Sequence, residues 1–400
     1  MIIGIPCEIN PRETRVAITP ANIQTWSDTP LKFLVQSGAG LKSGFSDGDY
    51  VAAGAEIASD RKKIFTDAKI ILQVQSIGAN TANGEDDLPL LRAGQMIIGM
   101  LDPLANPEAS IKLAERGVSS LSLELIPRIS RAQSMDVLSS MATLAGYHAV
   151  LLGAVSAPRI MPMLMTAAGT LTAARVFIMG AGVAGLQACA TAKRLGAIVE
   201  AYDVRPAAQE QIISVGAKPI ELDLDTGAAE GQGGYAKAQG EDFLKRQREL
   251  MAEVLAQQDI VITTAAVPGA KSPILITAEM VHRMKPGAVI VDIAAERGGN
   301  CELTKLNEDV EVNGVTIIGP ENIPARHGHH ASQMYGKNMD TLLKLIIDKE
   351  GELALDFEDE IVAQSVATYG NEIINPRIRS LLNLPELAVK KADETESVSH

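Results

Sequence analysis

The chain has 400 residues, 46% of them hydrophobic and 21% charged, which is typical of soluble globular proteins and too long for one hydrophobic core. The net charge of −13 argues against nucleic acid or an anionic membrane as the main partner. Three cysteines without a CxxC pair indicate a reducing compartment. The chain opens on a predicted strand rather than a signal peptide, and no stretch reaches the ~18–20 uninterrupted apolar residues of a membrane span. We therefore expect a soluble, cytoplasmic protein without direct membrane insertion.

Short strands alternate with helix-forming segments along the whole chain, which is the pattern of α/β folds. The strands predicted near the N-terminus are 2–5, 31–36, 70–74, 96–100 and 119–123. The strands predicted further on are 175–179, 197–202, 218–222, 259–264, 288–293 and 314–319. Between these groups, the small residues of 131–152 predict a helix long enough to join two domains.

The end of the chain is too short for a domain of its own. A helix predicted over 333–347 leaves the second domain, and only about 60 residues follow residue 332, near the lower limit of an independent core. We therefore predict two Rossmann-like, doubly wound α/β domains with a cleft between them. The first is discontinuous, with residues 1–137 plus about 331–385, and the second spans 138–330. The polar tail 388–400 is predicted to be disordered.

Residues 173–203 have the form of a dinucleotide-binding βαβ unit. A β-rich run leads into Gly180-Ala-Gly182-Val-Ala-Gly185, a helix-forming segment follows, and a second strand ends at Asp203. In such units the first glycine allows a tight turn, the second lets the backbone approach a pyrophosphate, and the third lets the helix pack on the strand. The terminal acid accepts hydrogen bonds from the adenosine ribose. The sequence therefore predicts nucleotide binding, the alternative being a glycine-rich structural turn.

The same unit bears on which dinucleotide is bound. The carboxylate of Asp203 would repel a 2′-phosphate, which favours NAD(H). Arg205, two residues on, is of the type that accepts such a phosphate, so NADP(H) stays the second choice. Near it, the glycine-rich stretch 225–239 contains Tyr235, which is either a lid residue over a bound cofactor or a residue of a tolerated surface insertion.

A second segment, 127–147, places many polar side chains just before or at the start of the predicted interdomain helix. They are Arg128, Ser130, Arg131, Gln133, Ser134, Asp136 and Ser139. Such density suggests a site for a polar ligand, and the alternative is an N-terminal capping region with a solvated face. On a helix that starts at Arg131, the side chains of Ala132, Asp136 and Ser139 would share one face.

At this point the chain resembles a known family. PRISRAQSMDVLSSMATLAGY (127–147), GAGVAGLQA (180–188) and MKPGAVIVDIAAERGGN (284–300) closely resemble the NAD(H)-binding component of proton-translocating NAD(P) transhydrogenases. The resemblance extends from residue 3 to about 347 and includes the wider group of alanine dehydrogenases. It implies a homodimer with NAD(H) as its cofactor and no metal. It also implies an NADP(H)-binding partner component and a separate membrane subunit, which would hold the chain peripherally at the inner membrane.

The resemblance also implies roles for individual residues. Those expected around the nicotinamide and its ribose are Arg128, Ile129, Ser130, Arg131, Gln133, Asp136 and Ser139, with Gln133 orienting two nicotinamides. Those expected at the pyrophosphate are Gly180, Gly182, Val183 and Gly185. Those expected near the adenosine end are Asp203, Val204, Arg205, Gly234, Gln247 and Ala266, with Tyr235 on a mobile loop that closes over the nucleotide.

Amino-acid oxidation is the main alternative chemistry. It releases a proton along with the hydride and therefore needs a general base. Alanine dehydrogenases have a lysine and a histidine where this chain has Gln75 and Asp102, and glutamine cannot act as a base. Arg15 resembles the ligand of the substrate carboxylate in those enzymes, although an ion pair with Glu8 or Glu13 would explain it equally well. A catalytically idle NAD(H)-binding module is the third possibility.

Three histidines, His327, His329 and His330, stand together near the predicted domain junction. Adjacent histidines in a short loop rarely reach one ion together, and no carboxylate or thiol completes a ligand set. We therefore expect solvated loop histidines and no metal site.

Overall fold

The computed structural model describes residues 1–222, 241–267 and 269–387. Its strands in chain order are β1 (Ile2–Ile5), β2 (Lys32–Gln36), β3 (Glu56–Ala58), β4 (Ile70–Gln75), β5 (Met96–Met100), β6 (Ser119–Ser122), β7 (Leu164–Thr166), β8 (Gly169–Leu171), β9 (Arg175–Met179), β10 (Ile198–Tyr202), β11 (Lys218–Pro219), β12 (Ile260–Thr263), β13 (Val289–Asp292), β14 (Asp309–Val312), β15 (Val315–Ile318), β16 (Val366–Tyr369) and β17 (Glu372–Ile373).

The α-helices are α1 (Pro20–Gln24), α2 (Asp47–Ala52), α3 (Arg61–Asp67), α4 (Glu108–Glu115), α5 (Val137–Ser156), α6 (Val183–Arg194), α7 (Ala208–Ser214), α8 (Glu241–Leu255), α9 (Ala278–His282), α10 (Gly328–Ile346), α11 (Glu360–Ser365) and α12 (Pro376–Leu381). Short 3-10 segments precede the two longest helices, at Ser130–Met135 and Ile323–His327.

Two large sheets organise the chain. The first has the order β17-β16-β6-β5-β4-β1-β2-β3 and is parallel except at β16 and β17. The second has the order β11-β10-β9-β12-β13-β15-β14 and is parallel except at β14. The central strands are continuous apolar runs whose residues are almost all buried. Such runs are typical of parallel strands that are covered on both faces of the sheet. The predicted class of two doubly wound Rossmann-like domains is confirmed.

The chain returns to the first sheet after completing the second. Val366 on β16 pairs antiparallel with Leu121 on β6, so residues near the C-terminus complete a sheet that begins at Ile2. α10 also packs into the first apolar core through Tyr335 and Met339. The first domain is thus discontinuous, as predicted, while the boundaries at 137/138 and 330/331 stay predictions.

The predicted helix over 131–152 is wrong at its start. Residues Ser130–Met135 form a 3-10 segment, and α5 begins only at Val137. The break lies at Asp136, which has extended backbone angles and whose carboxylate caps the helix by accepting the Ser139 amide at 2.9 Å. A carboxylate at this position stabilises the positive end of the helix that follows. The capping residue itself has non-helical backbone angles, so the helix cannot extend further toward the N-terminus.

By length and composition α5 could cross a membrane, with a mean hydropathy of 1.4 over its apolar window. Of that window, 39% is buried inside the protein, and helices at the core of soluble proteins meet the same criterion. Gly146 and Gly153 show where α5 packs against its neighbours. A Cβ at Gly146 would overlap the Ala184 carbonyl of α6, and one at Gly153 would lie 2.7 Å from Ile260 of β12. The helix therefore packs closely on the second domain.

Candidate nucleotide-binding site

The order of the second sheet reverses at β9, which lies between β10 and β12. In open α/β sheets the crevice at such a reversal, outside the carboxyl ends of the strands, is where ligands bind. The loops that follow these three strands begin at Gly180, Asp203 and Thr264. The βαβ unit predicted from the sequence therefore stands at the position in the fold that favours a ligand.

Two glycines of the loop after β9 are required by the packing. Gly180 has φ of +101°, a left-handed conformation that favours glycine, and a Cβ there would lie 2.5 Å from the Thr264 hydroxyl. A Cβ at Gly185 would overlap the Gly180 carbonyl, so this glycine lets α6 approach β9. Gly182 faces open space instead, since a Cβ there would meet no atom within 4 Å. These properties match the three roles expected of the motif.

The N-terminus of α6 follows this loop and has no capping side chain. Gly182 is the N-cap and provides no side-chain hydrogen bond, and Val183 is 39% exposed. The first amides of a helix without a capping side chain are donors for an anion, and the helix dipole adds to their attraction. This end of α6 could hold a phosphate group.

Asp203 is engaged by the protein itself. Its carboxylate accepts the Ala181 amide at 2.7 Å and binds Arg205 through Nε at 2.8 Å and NH2 at 2.8 Å. Val204 packs against the apolar cluster beside it. The structure thus brings Asp203 next to the glycine loop, as the motif requires, and places the Arg205 guanidinium on that carboxylate.

Two further predicted residues lie around the same crevice. Gln247, on α8, is buried, and its side-chain amide donates to the Tyr202 hydroxyl at 3.0 Å. Ala266 is exposed in the loop after β12. Gly234 and Tyr235 lie outside the described residues, as does the whole of the glycine-rich stretch 225–239.

The loop after β12 depends on residues that the sequence analysis missed. Asn300 is fully buried and holds Ala265 on both sides, accepting its amide at 2.9 Å and donating to its carbonyl at 2.8 Å. The Asp292 carboxylate in turn accepts the amides of Asn300 and Cys301 at 2.7 and 3.0 Å. Two features of the sequence were signals for this network. They are the acid Asp292 at the end of the apolar strand β13 and the run Gly298-Gly299-Asn300 after it.

The polar segment before α5 lines a cavity of about 310 Å³. Its lining residues are Pro127, Arg128, Ile129, Ala132, Gln133, Asp136 and Ser139. Inside it the Ser139 hydroxyl donates to Asp136 at 2.6 Å, and Arg128 Nε lies 4.0 Å from the same carboxylate. Five of the seven residues predicted for the nicotinamide region are therefore brought together.

Ser130 and Arg131 are not among the lining residues. Both are exposed, and the Arg131 guanidinium binds the Asp359 carboxylate in two places, at 2.6 and 2.8 Å. Asp359 is the N-cap of α11, in the segment that returns to the first domain. The position of Arg131 thus depends on a residue 228 positions away, which local sequence patterns do not indicate.

The two halves of the candidate site are in contact through their helices. α5 begins at the polar cavity, α6 begins at the glycine loop, and Gly146 of α5 lies against Ala184 in the first turn of α6. Gly146 is about 14 Å along α5 from its start, at 1.5 Å per residue. The helix contact therefore fixes the positions of the two sites relative to each other.

The residues that the sequence analysis compared with those of alanine dehydrogenases make contacts within the protein. The first sheet reverses between β1 and β4, where the Asn10 amide donates to Gln75 Oε1 at 2.7 Å. Glu8 accepts the Val74 amide at 2.6 Å. Burial, with Glu13 adding to it, raises the pKa of Glu8 to about 8, so this acid is mostly protonated near pH 7.

Two ion pairs complete this arrangement. Arg15 is buried and binds Glu13 through Nε at 2.7 Å and NH2 at 2.6 Å. Asp102, with φ of +48°, pairs with Arg297 of the second domain at 2.7 Å. Gln75 and Asp102, the two residues expected in place of a dehydrogenase's lysine and histidine, are thus engaged by Asn10 and Arg297.

The histidines differ from the expected solvated loop. His329 and His330 are exposed but belong to α10. His327 is half-buried, and its Nε2 lies 3.0 Å from His148 Nδ1 on α5, so the pair joins the two segments that connect the domains. Among the residues that the structure describes, no group of three or more His, Cys, Asp or Glu side chains is placed to hold a metal ion.

The fold and the glycine loop define this protein as a two-domain α/β protein of the dinucleotide-binding class. Comparison with known families then gives matches to the model "Alanine dehydrogenase/PNT, N-terminal domain" over residues 4–145 and to "Alanine dehydrogenase/PNT, C-terminal domain" over 149–376. The chain belongs to the alanine dehydrogenase/PNT family.

Three relatives illustrate its place in that family. The chain is 44% identical over 380 residues to the first of the polypeptides that form NAD(P) transhydrogenase subunit alpha in Rhodospirillum rubrum, covering 94% of this chain and 99% of that protein. It is similar to the crystal structure of transhydrogenase from Sinorhizobium meliloti, with a TM-score of 0.83 and 42% identity over 94% of this chain and 100% of that one. It is 30% identical to alanine dehydrogenase of Bacillus subtilis, covering 81% and 80% of the two chains. The resemblance inferred from the sequence is confirmed.

The Asp203–Arg205 pair generates a prediction on cofactor choice. Asp203→Ser removes the carboxylate that would repel a 2′-phosphate and leaves Arg205 without this partner. We expect the affinity for NADPH relative to NADH to rise by about tenfold or more, as a hydrogen bond to a charged group allows. Isothermal titration calorimetry with both nucleotides measures it. Asp309→Ser, at an exposed site on β14, is the control, and an unchanged ratio in Asp203→Ser would contradict the assigned role.

Proposed function

We propose that this chain is the NAD(H)-binding component of a proton-translocating NAD(P) transhydrogenase. It would transfer hydride directly between NADH and NADP⁺ bound on a partner component. The observation that carries the proposal is the contact of α5 with α6. One of these helices begins at a polar cavity and the other at a phosphate-type loop, so the contact links the two. Near full-length similarity to transhydrogenase α subunits supports it.

The residues of the site fit NAD(H). Gly180, Gly182, Val183 and Gly185 would hold the pyrophosphate at the start of α6. Asp203, Val204, Arg205, Gly234, Tyr235, Gln247 and Ala266 would bind and cover the adenosine end. Arg128, Ile129, Ser130, Arg131, Gln133, Asp136 and Ser139 would bind the nicotinamide end. The open space beside Gly182 and the helix N-terminus without a capping side chain support this assignment.

Hydride exchange needs little chemistry from the protein. A bound dihydronicotinamide supplies the hydride, and no proton is released when a second nicotinamide accepts it. The protein has to orient the reactants and exclude water. Gln133 is exposed at the edge of the cavity, where a partner could approach, while Asp136 is held by Ser139 and serves as the helix cap. Such a cluster positions ligands without acting as a base.

The other steps of the reaction belong to other polypeptides in this proposal. The chain would bind NAD(H) and no metal, and NADP(H) would bind a partner component. A membrane subunit would move the proton, which would place this chain in the cytoplasm at the inner membrane. The names of two similar proteins describe each as one portion of a transhydrogenase subunit alpha, which supports a complex of several polypeptides.

The proposal is tested by measuring hydride transfer from NADH to an oxidised NAD analogue, with and without the NADP(H)-loaded partner component. We expect transfer only with the partner present, because the second nicotinamide would be bound and oriented there. A parallel reaction with NADH, pyruvate and ammonia tests amino-acid chemistry. Turnover in that reaction would make the chain a dehydrogenase, and silence in both reactions would support the idle binding module.

The role of Gln133 is tested by Gln133→Asn, which shortens the side chain by one methylene and keeps the amide. We expect hydride transfer to slow by about 100-fold, since a displacement near 1 Å can cost that much, while NADH affinity changes by less than about threefold. Rapid-mixing kinetics and calorimetry measure the two quantities. Gln257→Asn, outside the cavity, is the matched control, and a large loss of NADH affinity in Gln133→Asn would contradict the positioning role.

We also propose that the component is a homodimer that associates through β7 and β8. All residues of both strands are exposed, including Met165 at 77% and Leu171 at 51%. A two-stranded hairpin is marginally stable alone, and exposed apolar patches mark interfaces. Residues 160–174 carry no charge, so two copies could meet here despite a net charge of −13 on each.

Met165→Asp places a charge on this hairpin and should convert the dimer to a monomer, because two buried carboxylates near a twofold axis would repel. Sedimentation velocity measures the assembly state. Val51→Asp, at a site that is 56% exposed on α2, should leave the dimer unchanged. A Met165→Asp variant that still sediments as a dimer would refute this interface.

A further inference from the structure

The turn that presents Gln133 rests on α10, the helix that returns from the second domain. Ala132 and Met135 of this turn are 1% and 5% exposed and belong to the same apolar core as Met339 of α10. Apolar contacts of this kind hold the turn against the helix but are non-directional. They do not by themselves determine how the peptide planes of Ser130–Met135 are oriented.

One directional contact joins the helix to this turn at Ser134. The side-chain amide of Asn338, on α10, donates from Nδ2 to the Ser134 carbonyl at 2.8 Å. Asn338 is only 6% exposed, and its Oδ1 has no hydrogen-bond partner among the described residues. The opposite orientation of the amide would place two oxygens against each other, so the donor faces Ser134. The bond to the Ser134 carbonyl is therefore the hydrogen bond that the buried Asn338 side chain makes.

The base of this contact is rigid. Tyr335, one turn before Asn338, is fully buried, and its hydroxyl donates to the carbonyls of Gln73 and Val74 on β4 at 2.9 and 3.3 Å. α10 is thus fixed to the first sheet immediately before the residue that holds Ser134. Tyr335 and Asn338 thus connect the turn to β4, and the position of the turn depends on the first sheet through these two side chains.

We propose that Asn338 is a positioning residue for hydride transfer, an inference that rests on the proposed function. By holding the Ser134 carbonyl, it fixes the peptide between Ser134 and Met135, one residue beyond Gln133 in the same 3-10 segment. The turn, and with it the direction of the Gln133 side chain, is thereby restrained. A hydrogen bond loses strength steeply with angle, so its geometry restrains rotation of the peptide plane. Asn338 does not line the cavity, so it acts through the turn that carries Gln133.

Two substitutions of nearly equal size separate positioning from packing. Asn338→Leu removes the donor at all pH values. Asn338→Asp also removes it when ionised, but a protonated carboxyl group regains an O–H donor for Ser134. We expect both variants to slow hydride transfer by about 10- to 100-fold at pH 8, with NADH affinity changed by less than about threefold.

The pH profile gives the decisive readout. As the pH falls from 8 to 5.5, the rate of Asn338→Asp should recover by several-fold relative to Asn338→Leu. The other titratable groups of the turn and of α10 are the same in both variants and cancel in this ratio. They are Arg131, Asp136, His329, His330, Tyr335, Lys337, Asp340 and Lys344. A constant ratio, or equal losses of rate and of NADH affinity, would overturn the proposal.

A measurement without the partner keeps this inference separate from the proposed function. Hydrogen exchange of the backbone amides of 130–136, in the chain alone, should accelerate in Asn338→Leu while the amides of β9 keep their protection. Acceleration together with an inactive wild-type complex would mean that the turn is held as described but that the proposed function fails. Uniform acceleration across both domains would mean that Asn338 only stabilises the fold, which would overturn the proposal.

Discussion

The close packing of α5 on α6 is the constraint on which the rest of this structure depends. Gly146 allows the two helices to approach until its backbone meets the Ala184 carbonyl, and Gly153 lets α5 lie on β12. Each helix begins at one half of the site. Since a helix is a stiff rod with a fixed rise per residue, this contact determines where the polar cavity lies relative to the glycine loop. A side chain at Gly146 would separate them.

Several charged groups of the two domains are paired with one another. Asp203 is paired with Arg205, Arg15 with Glu13, and Asp102 with Arg297. Burial keeps Glu8 largely protonated near neutral pH. Buried charges are costly unless they are paired, so such pairing is expected of an enclosed site. Each of the acids in these pairs therefore has a partner in the protein itself.

Much of the fold could be predicted because its signals are local. The strand, glycine loop, helix and second strand of 175–202 follow one another without interruption, and their lengths were predicted to within a residue or two. The helix start at 137 was not, because Asp136 interrupts a stretch whose composition favours helix. The edge strands β3, β14 and β17 were also missed, as was β16 beside β17. Short edge strands carry weak periodicity and are specified by the neighbours they pair with.

The sequence by itself determined the class of fold, the dinucleotide loop, the cluster before α5 and the family, because each is written in residues that are close along the chain. Only the tertiary structure decided how these elements are held. The contacts Asn338–Ser134, Arg131–Asp359 and Asp102–Arg297 join residues about 200 positions apart. Such pairs leave no periodic trace in a single sequence, since they form only when two separately folded surfaces meet and bury their polar groups together.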